Sequence, residues 1–345
     1  MNQQVGLGSL CFSKTPFIIS TGCVVGKKEG EGPLASCFDV IGTGDEKFGE
    51  DNWEAAESAL QKEALTVTLG KINRKATDVR YLFAGDLLGQ TIASSFGLKE
   101  FEIPLFGLYG ACSTCGESLS LASMTVAAGY ADCVAAVTSS HFASAEKQFR
   151  FPLEYANQRP KSSTWTVTGS GAFLLVSKER MEEWKAKPLA KITGVTTGKI
   201  VDFGVKDSMN MGAAMAPGAC DLIYQHLQDF GRKPSDYDRI VTGDLGTVGS
   251  EILIDLLKEK GYDIASVHED CGVKIYDGEK QGTGAGGSGC GCSAVTLSGY
   301  YLNELKRGRL KRILFVPTGA LLSTVSFNEG QNIPSIAHGI MFERV

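Results

Sequence analysis

The chain reads as an α/β protein made of two duplicated halves, and two observations predict it. An apolar strand ending in Gly-Asp-Leu occurs twice, as Tyr81 to Leu87 and as Arg239 to Leu245, with Asp86 and Asp244 158 residues apart. A longer unit of glycine turn, small-residue helix, glycine and apolar strand runs from Gly110 to Ser139 and again from Gly289 to Thr318, with Gly129 and Gly308 179 residues apart. Strand, helix, buried helix and strand in the same order twice imply a repeated supersecondary unit. The halves fall at 1–177 and 189–345, linked by the charged stretch Lys178 to Pro188, with an inserted loop over 141–165 in the first.

Taken in order, Pro16 to Ser20 reads as a strand and Gly22 to Pro33 as a loop. The latter is no phosphate loop, because three residues rather than four separate Gly22 from Gly26 and no Ser or Thr follows Lys27. Asp51-Asn52 caps a helix whose Trp53, Ala56, Leu60, Ala64 and Val67 share one face. Strand Val79 to Ala84, the apolar run Ile103 to Leu108, a helix from Cys112 and strand Val134 to Thr138 follow. The insertion carries His141, Lys147, Arg150, Glu154, Tyr155, Arg159 and Lys161, and a loop of that size in a compact domain is usually functional or an interface. Strand Gly171 to Val176 closes the first half. In the second, strand Leu189 to Thr193, helices Gly212 to Phe230 and Ser250 to Lys260, strand Val273 to Tyr276 and helix Cys292 to Leu305 lead to strands Arg312 to Val316 and Ser335 to Phe342.

Composition narrows the function classes. With 345 residues, the chain can hold one large core or two ordinary domains. Its 42 glycines, above the usual level of about 7%, predict close backbone packing. A net charge of −5 without any basic block offers nothing to nucleic acid or to an anionic membrane. No apolar run approaches the roughly 20 residues that span a bilayer, and Met1 to Leu10 has no leader-like pattern. The expectation is a soluble chain made in the cytoplasm. Cys23, Cys133, Cys220, Cys290 and Cys292 lie in apolar or glycine-rich surroundings, as buried reduced thiols do.

The chemistry centres on Tyr109-Gly110-Ala111-Cys112-Ser113-Thr114, where the apolar run gives way to a helix of small residues. A cysteine there faces unpaired N–H groups and the positive end of the helix dipole, which favour a thiolate or a bound anion. Leu119, Leu121, Ala122 and Val126 continue the pattern of a helix buried on all sides.

These residues carry a resemblance. The duplicated halves, the Gly-Ala-Cys-Ser helix start and the closing strand resemble the thiolase and ketoacyl synthase superfamily, which implies a five-layer αβαβα fold and a homodimer. More closely, the chain is similar to the stage V sporulation AD family on Ala84-Gly85-Asp86-Leu87-Leu88, Gly110 to Thr114, Thr138-Ser139-Ser140-His141, Gln148-Phe149-Arg150-Phe151-Pro152, Val241 to Leu245 and Ile336-Ala337-His338-Gly339. That resemblance implies binding of dipicolinic acid (pyridine-2,6-dicarboxylate), with or without calcium, and work beside other stage V sporulation membrane proteins. Together they would move it into the developing spore and out at germination, this chain lying peripherally at the spore inner membrane through those partners. No cofactor or metal site is implied.

The superfamily attacks acyl thioesters with the helix-start cysteine, aided by histidine and a second histidine or asparagine. Cys112 is in place, but the partner positions fall on Gly243-Asp244 and on Gly287-Ser288-Gly289, which offer neither imidazole nor amide. An ionised Asp244 cannot donate a hydrogen bond and raises a neighbouring thiol's pKa. The second oxyanion donor falls on Pro334, which lacks an N–H; losing such a donor can cost about 10²- to 10³-fold in rate. Cys112 thus reads as a vestigial nucleophile in a non-catalytic binding site.

For a planar diacid, Cys112 and Ser113 at the helix start supply one anion site, and Arg150 or Lys147 the other. Asp86 stands near the pocket mouth, bridging through calcium or capping a turn. His338 on the last strand is a ligand group or a core histidine. The alternative is an acyl-CoA condensing enzyme or thioesterase that uses Cys112 with His338 or His141 as base. Two further patterns are set aside. Cys112, Cys115, Cys290 and Cys292 have the wrong spacing for a zinc ribbon, and Gly284 to Gly289 after strand Val273 to Tyr276 is a lone dinucleotide-like motif better read as packing.

Overall fold

The computed structural model describes residues 3–42, 44–149 and 159–345. In the first half β1 (Phe17–Val25), α1 (Trp53–Gly70), β2 (Tyr81–Gly85), α2 (Ile92–Leu98), β3 (Leu105–Leu108), α3 (Thr114–Ala127), β4 (Cys133–Ser140), α4 (Phe142–Phe149) and β5 (Gly169–Val176) follow one another. The second half runs β6 (Ala190–Thr197), α5 (Met211–Phe230), β7 (Arg239–Thr242), α6 (Gly246–Glu259), β8 (His268–Asp270), α7 (Cys290–Thr296), β9 (Arg312–Val316) and β10 (Ser335–Glu343).

Strand order repeats with the elements. The first sheet is β1-β5-β4-β2-β3 and the second β6-β10-β9-β7-β8. Directions repeat too: β5 is antiparallel to β1 and β4 while β2 is parallel to β4 and β3. Correspondingly, β10 is antiparallel to β6 and β9 while β7 is parallel to β9 and β8. The sheets meet edge to edge at one short antiparallel contact, Phe17 with Lys191 and Ile18 with Ala190.

Side chains alternate across a strand with period two, and that alternation builds the layers. Ala135 and Val137 of β4 and Ala172 and Leu174 of β5 face outward to Leu60, Ala64 and Leu65 of α1. Their neighbours Val134, Ala136, Phe173 and Leu175 face inward, where α3 (Cys115, Leu119, Ala122) and α7 (Cys292, Ala294, Val295) lie between the sheets. From the other side Val241, Phe315, Ile340 and Phe342 close on the same two helices. Beyond the second sheet, Ile223 of α5 and Leu253 of α6 cover Ile240, Leu314 and Met341. The result is a five-layer αβαβα fold with α3 and α7 in the middle layer.

Four local expectations are corrected. Gly22, read as the start of a loop, sits inside β1, and α1 crosses it so closely that a Cβ there would lie 2.5 Å from the Ala64 carbonyl oxygen. Val273 to Tyr276 is not a strand: the Asp270 side chain accepts from the Val273 N–H and caps a helical turn, Cys271–Ile275. The linker begins as a helix, Lys178–Glu183, because Ser177 accepts from the Arg180 N–H. The insertion starts with α4 rather than irregular chain.

Candidate functional site

Residues that must stay small place the reactive end of α3. Gly116 lies against β10, where an added Cβ would come 2.9 Å from the His338 carbonyl oxygen. The turn before the helix is tight: Gly110 N–H donates to Thr114 Oγ1 at 3.0 Å, Ser113 Oγ donates to the Gly110 carbonyl at 2.6 Å, and Ala111 takes a left-handed φ of 51°. A non-glycine residue held there stores strain of a kind common at functional sites. The α-helix proper starts at Thr114, so Cys112 stands on a 3₁₀ turn leading into it rather than in its first turn.

Cys112 lines a small cleft between the halves, with a cavity volume of about 80 Å³. From the first half Leu87, Tyr109, Ala145, Glu146 and Phe149 line it; from the second come Met211, Met215, Asp244, Ser288, Gly289, Ala320 and Leu322. The lining is largely apolar and partly aromatic with a few polar groups, as in small-molecule sites generally.

Asp244 is fully buried beside Cys112. Its Oδ2 accepts the Gly289 N–H at 2.8 Å, whereas Oδ1 has no hydrogen-bond partner among the described residues. Burial pushes the Asp244 carboxyl up to about 7, against the Cys112 thiol and the Gly289 N–H, which lower it. Burial, followed by the charge of Asp244, raises the Cys112 thiol well above its ordinary range. The thiolate that a nucleophile requires is therefore disfavoured. Tyr109 is held neutral by burial, its pKa raised to about 12, and its hydroxyl donates to the Leu87 carbonyl at 3.0 Å. Glu146, almost wholly buried, pairs with Arg159 at 2.7 Å, and that guanidinium also lies over the Trp165 ring.

The structure brings Cys112 together with Asp244, Ser288 and Gly289, which include residues that the resemblance to the superfamily put at the partner positions. It does not bring in the other described candidates. Asp86 is buried and saturated: Oδ1 accepts Leu88 N–H at 2.8 Å, and Oδ2 accepts the Ser94 N–H at 2.8 Å and Ser94 Oγ at 2.6 Å. It caps a turn and has no place in the cleft lining. Ser113, also buried, spends its hydroxyl on Gly110. His338 faces the middle layer behind α3, opposite Thr197, is absent from the cleft lining and has its pKa lowered to about 4 by burial. His141 cannot serve as a base for Cys112: Nδ1 accepts the Ala143 N–H and Nε2 donates to the Glu46 carbonyl, both away from the cleft. Lys147 pairs with Glu54 at 2.8 Å on the surface. Arg150 lies outside the described residues.

Pro334 is also corrected. The segment before β10 folds back as a short strand, Thr318–Ala320, so that Ala320 and Leu322 reach the cleft while Pro334 does not. Glu146, Phe149, Met211 and Met215 were missed by sequence reasoning. The insertion's charges and aromatics pointed to the first pair; nothing local distinguishes the two methionines from core residues of α5.

Two sheets of repeated topology, with a cysteine at a buried helix start beneath a cleft between them, define a thiolase-like protein. Human mitochondrial 3-ketoacyl-CoA thiolase has this fold: its crystal structure aligns over 96% of this chain and 99% of its own with a TM-score of 0.58 at 10% identity. Its complex with CoA aligns over 97% and 99% with a TM-score of 0.59 at 11% identity. Within this class the chain belongs to the Stage V sporulation protein AD family, whose family model matches residues 6–343. Stage V sporulation protein AD of Bacillus subtilis (strain 168) is 44% identical over 334 residues, covering 96% of each chain.

Proposed function

We propose that this member of a sporulation family is a non-catalytic receptor for dipicolinic acid, taken free or as its calcium chelate, in the cleft over Cys112. The observation that carries the reading is Asp244 beside Cys112: the cysteine position is kept, but burial, and after it the neighbouring carboxyl, suppresses the thiolate, and no imidazole lines the cleft among the described residues. Tyr109, Phe149, Met211 and Met215 suit a flat aromatic ring, and the N–H groups at the helix start suit one carboxylate. Arg150, next in the chain to Phe149, is the residue we assign to the second.

The receptor acts with other stage V sporulation membrane proteins in uptake into the developing spore and in release at germination, and is held at the spore inner membrane by them. No helix among the described residues is long and apolar enough to cross a membrane. A homodimer joined through β3, the exposed edge of the first sheet, is part of the same proposal.

Calorimetric titration with pyridine-2,6-dicarboxylate, and with benzene-1,3-dicarboxylate as control, tests it. Saturable binding that requires the ring nitrogen and weakens in Arg150→Ala is the expected result; absence of binding to the wild type would sink the ligand assignment.

A further inference from the structure

Among the buried aspartates near the cleft, hydrogen-bond donors are unevenly supplied. Asp270 receives four: Thr242 Oγ1 at 2.6 Å, Leu245 N–H at 2.9 Å, and Gly246 and Val273 N–H at 3.1 Å each. Asp86 receives the three given above. Asp244, equally buried, receives one N–H, from Gly289, with only the weak thiol donor of Cys112 beside it, and its Oδ1 has no partner among the described residues. A buried carboxylate is stabilised by donors and cations and is otherwise neutralised by a proton.

No cation faces Asp244 from the described elements. From the turn before α3 it meets Cys112, and from α7 the thiols Cys290 and Cys292. From the end of β8 it meets Asp270 and Cys271, an anion-forming group and another thiol. Across the cleft stand Tyr109 and the Glu146–Arg159 pair, the guanidinium being committed to Glu146.

Resting on the receptor reading, we infer that Asp244 meets an anionic ligand as its neutral acid, with the proton on Oδ1, so that a carboxylate enters the cleft together with a proton. The ligand class is thereby narrowed to carboxylate anions that tolerate, or accept a hydrogen bond from, a protonated carboxyl. Burial already lifts this group to about 7. An anion placed near it lifts it further, which is proton uptake by linkage. If Asp244 instead held a divalent cation brought with the ligand, binding would drive its proton off.

The experiment is calorimetry of the full chain with pyridine-2,6-dicarboxylate at pH 7.5, in phosphate and in Tris, whose ionisation enthalpies differ. The inference predicts uptake of up to about three-quarters of a proton per ligand at this pH, and an affinity that falls up to about tenfold per pH unit above about 7. In Asp244→Asn, an isostere of the neutral acid, whatever the affinity, binding is expected to proceed without proton uptake and with a flat pH slope. The wild-type buffer comparison decides alone if that variant does not fold. Saturable wild-type binding without uptake, or with release, overturns the inference and leaves the receptor standing. No binding in either buffer overturns the receptor reading and this inference with it.

Discussion

Asp86 and Asp244 occupy equivalent places in the repeat, each ending a strand in Gly-Asp-Leu, yet they have different work. Asp86 is enclosed by donors from Leu88 and Ser94, two and eight residues downstream, whereas the one N–H donor to Asp244 comes from Gly289 in another element. Replacing Asp86 with Ala orphans those N–H groups in a buried turn, for a cost of about 2–4 kcal/mol, read by urea unfolding. Affinity in the folded fraction should change little, because Asp86 does not line the cleft. The motif was legible in the sequence at both positions; which aspartate stays open was not, because long-range donors decide it. His338 teaches the same point, since its place on the last strand was legible but the side of the sheet it faces depends on register.

At the scale of elements, the middle layer depends on close backbone approach. Gly291 of α7 lies where a Cβ would come 2.5 Å from the Gly169 carbonyl oxygen and 2.7 Å from the Ser140 nitrogen. Gly291→Ala should therefore destabilise the protein by about 1–3 kcal/mol, as overpacking does, measurable by thermal or urea unfolding. The edge strand β3 is the opposite case: Leu105 and Phe106 are exposed on an unpaired edge, and Phe106 stacks on Phe83 at 5.1 Å. Such edges invite pairing. Phe106→Glu is expected to give a monomer in sedimentation analysis, and a dimer of unchanged strength would remove β3 as the interface. Strands were the most legible elements, through repeats and alternation, and short helices the least. Cys271–Ile275 contains an apolar stretch that only the Asp270 cap turns helical.

Across the whole molecule, burial sets two groups of titrating residues against each other. Glu29 and Asp270 are raised to about 6 and Asp244 to about 7, so the stability they contribute is present at low pH and is lost as pH rises through those values. His226, lowered to about 3, and His268 and His338, lowered to about 4, contribute stability above about 6.5 that is lost as pH falls toward 4. These opposed trends predict a broad, shallow stability profile between about pH 4 and 7. Asp244→Asn removes one raised carboxyl, so its stability relative to wild type should climb across that window and level off above it. An equal difference at pH 5 and pH 7.5 in urea unfolding would mean that Asp244 titrates normally. An anionic ligand seated on an idle cysteine is the central proposal, and peptide-mapping mass spectrometry of Cys112 during alkylation by iodoacetamide at pH 7.5 tests that most directly. It predicts slow modification, slowed further and saturably by pyridine-2,6-dicarboxylate, with no acyl adduct when acyl-CoA replaces the alkylating agent. Rapid acylation of Cys112 by acyl-CoA, with alkylation indifferent to the diacid, would contradict it.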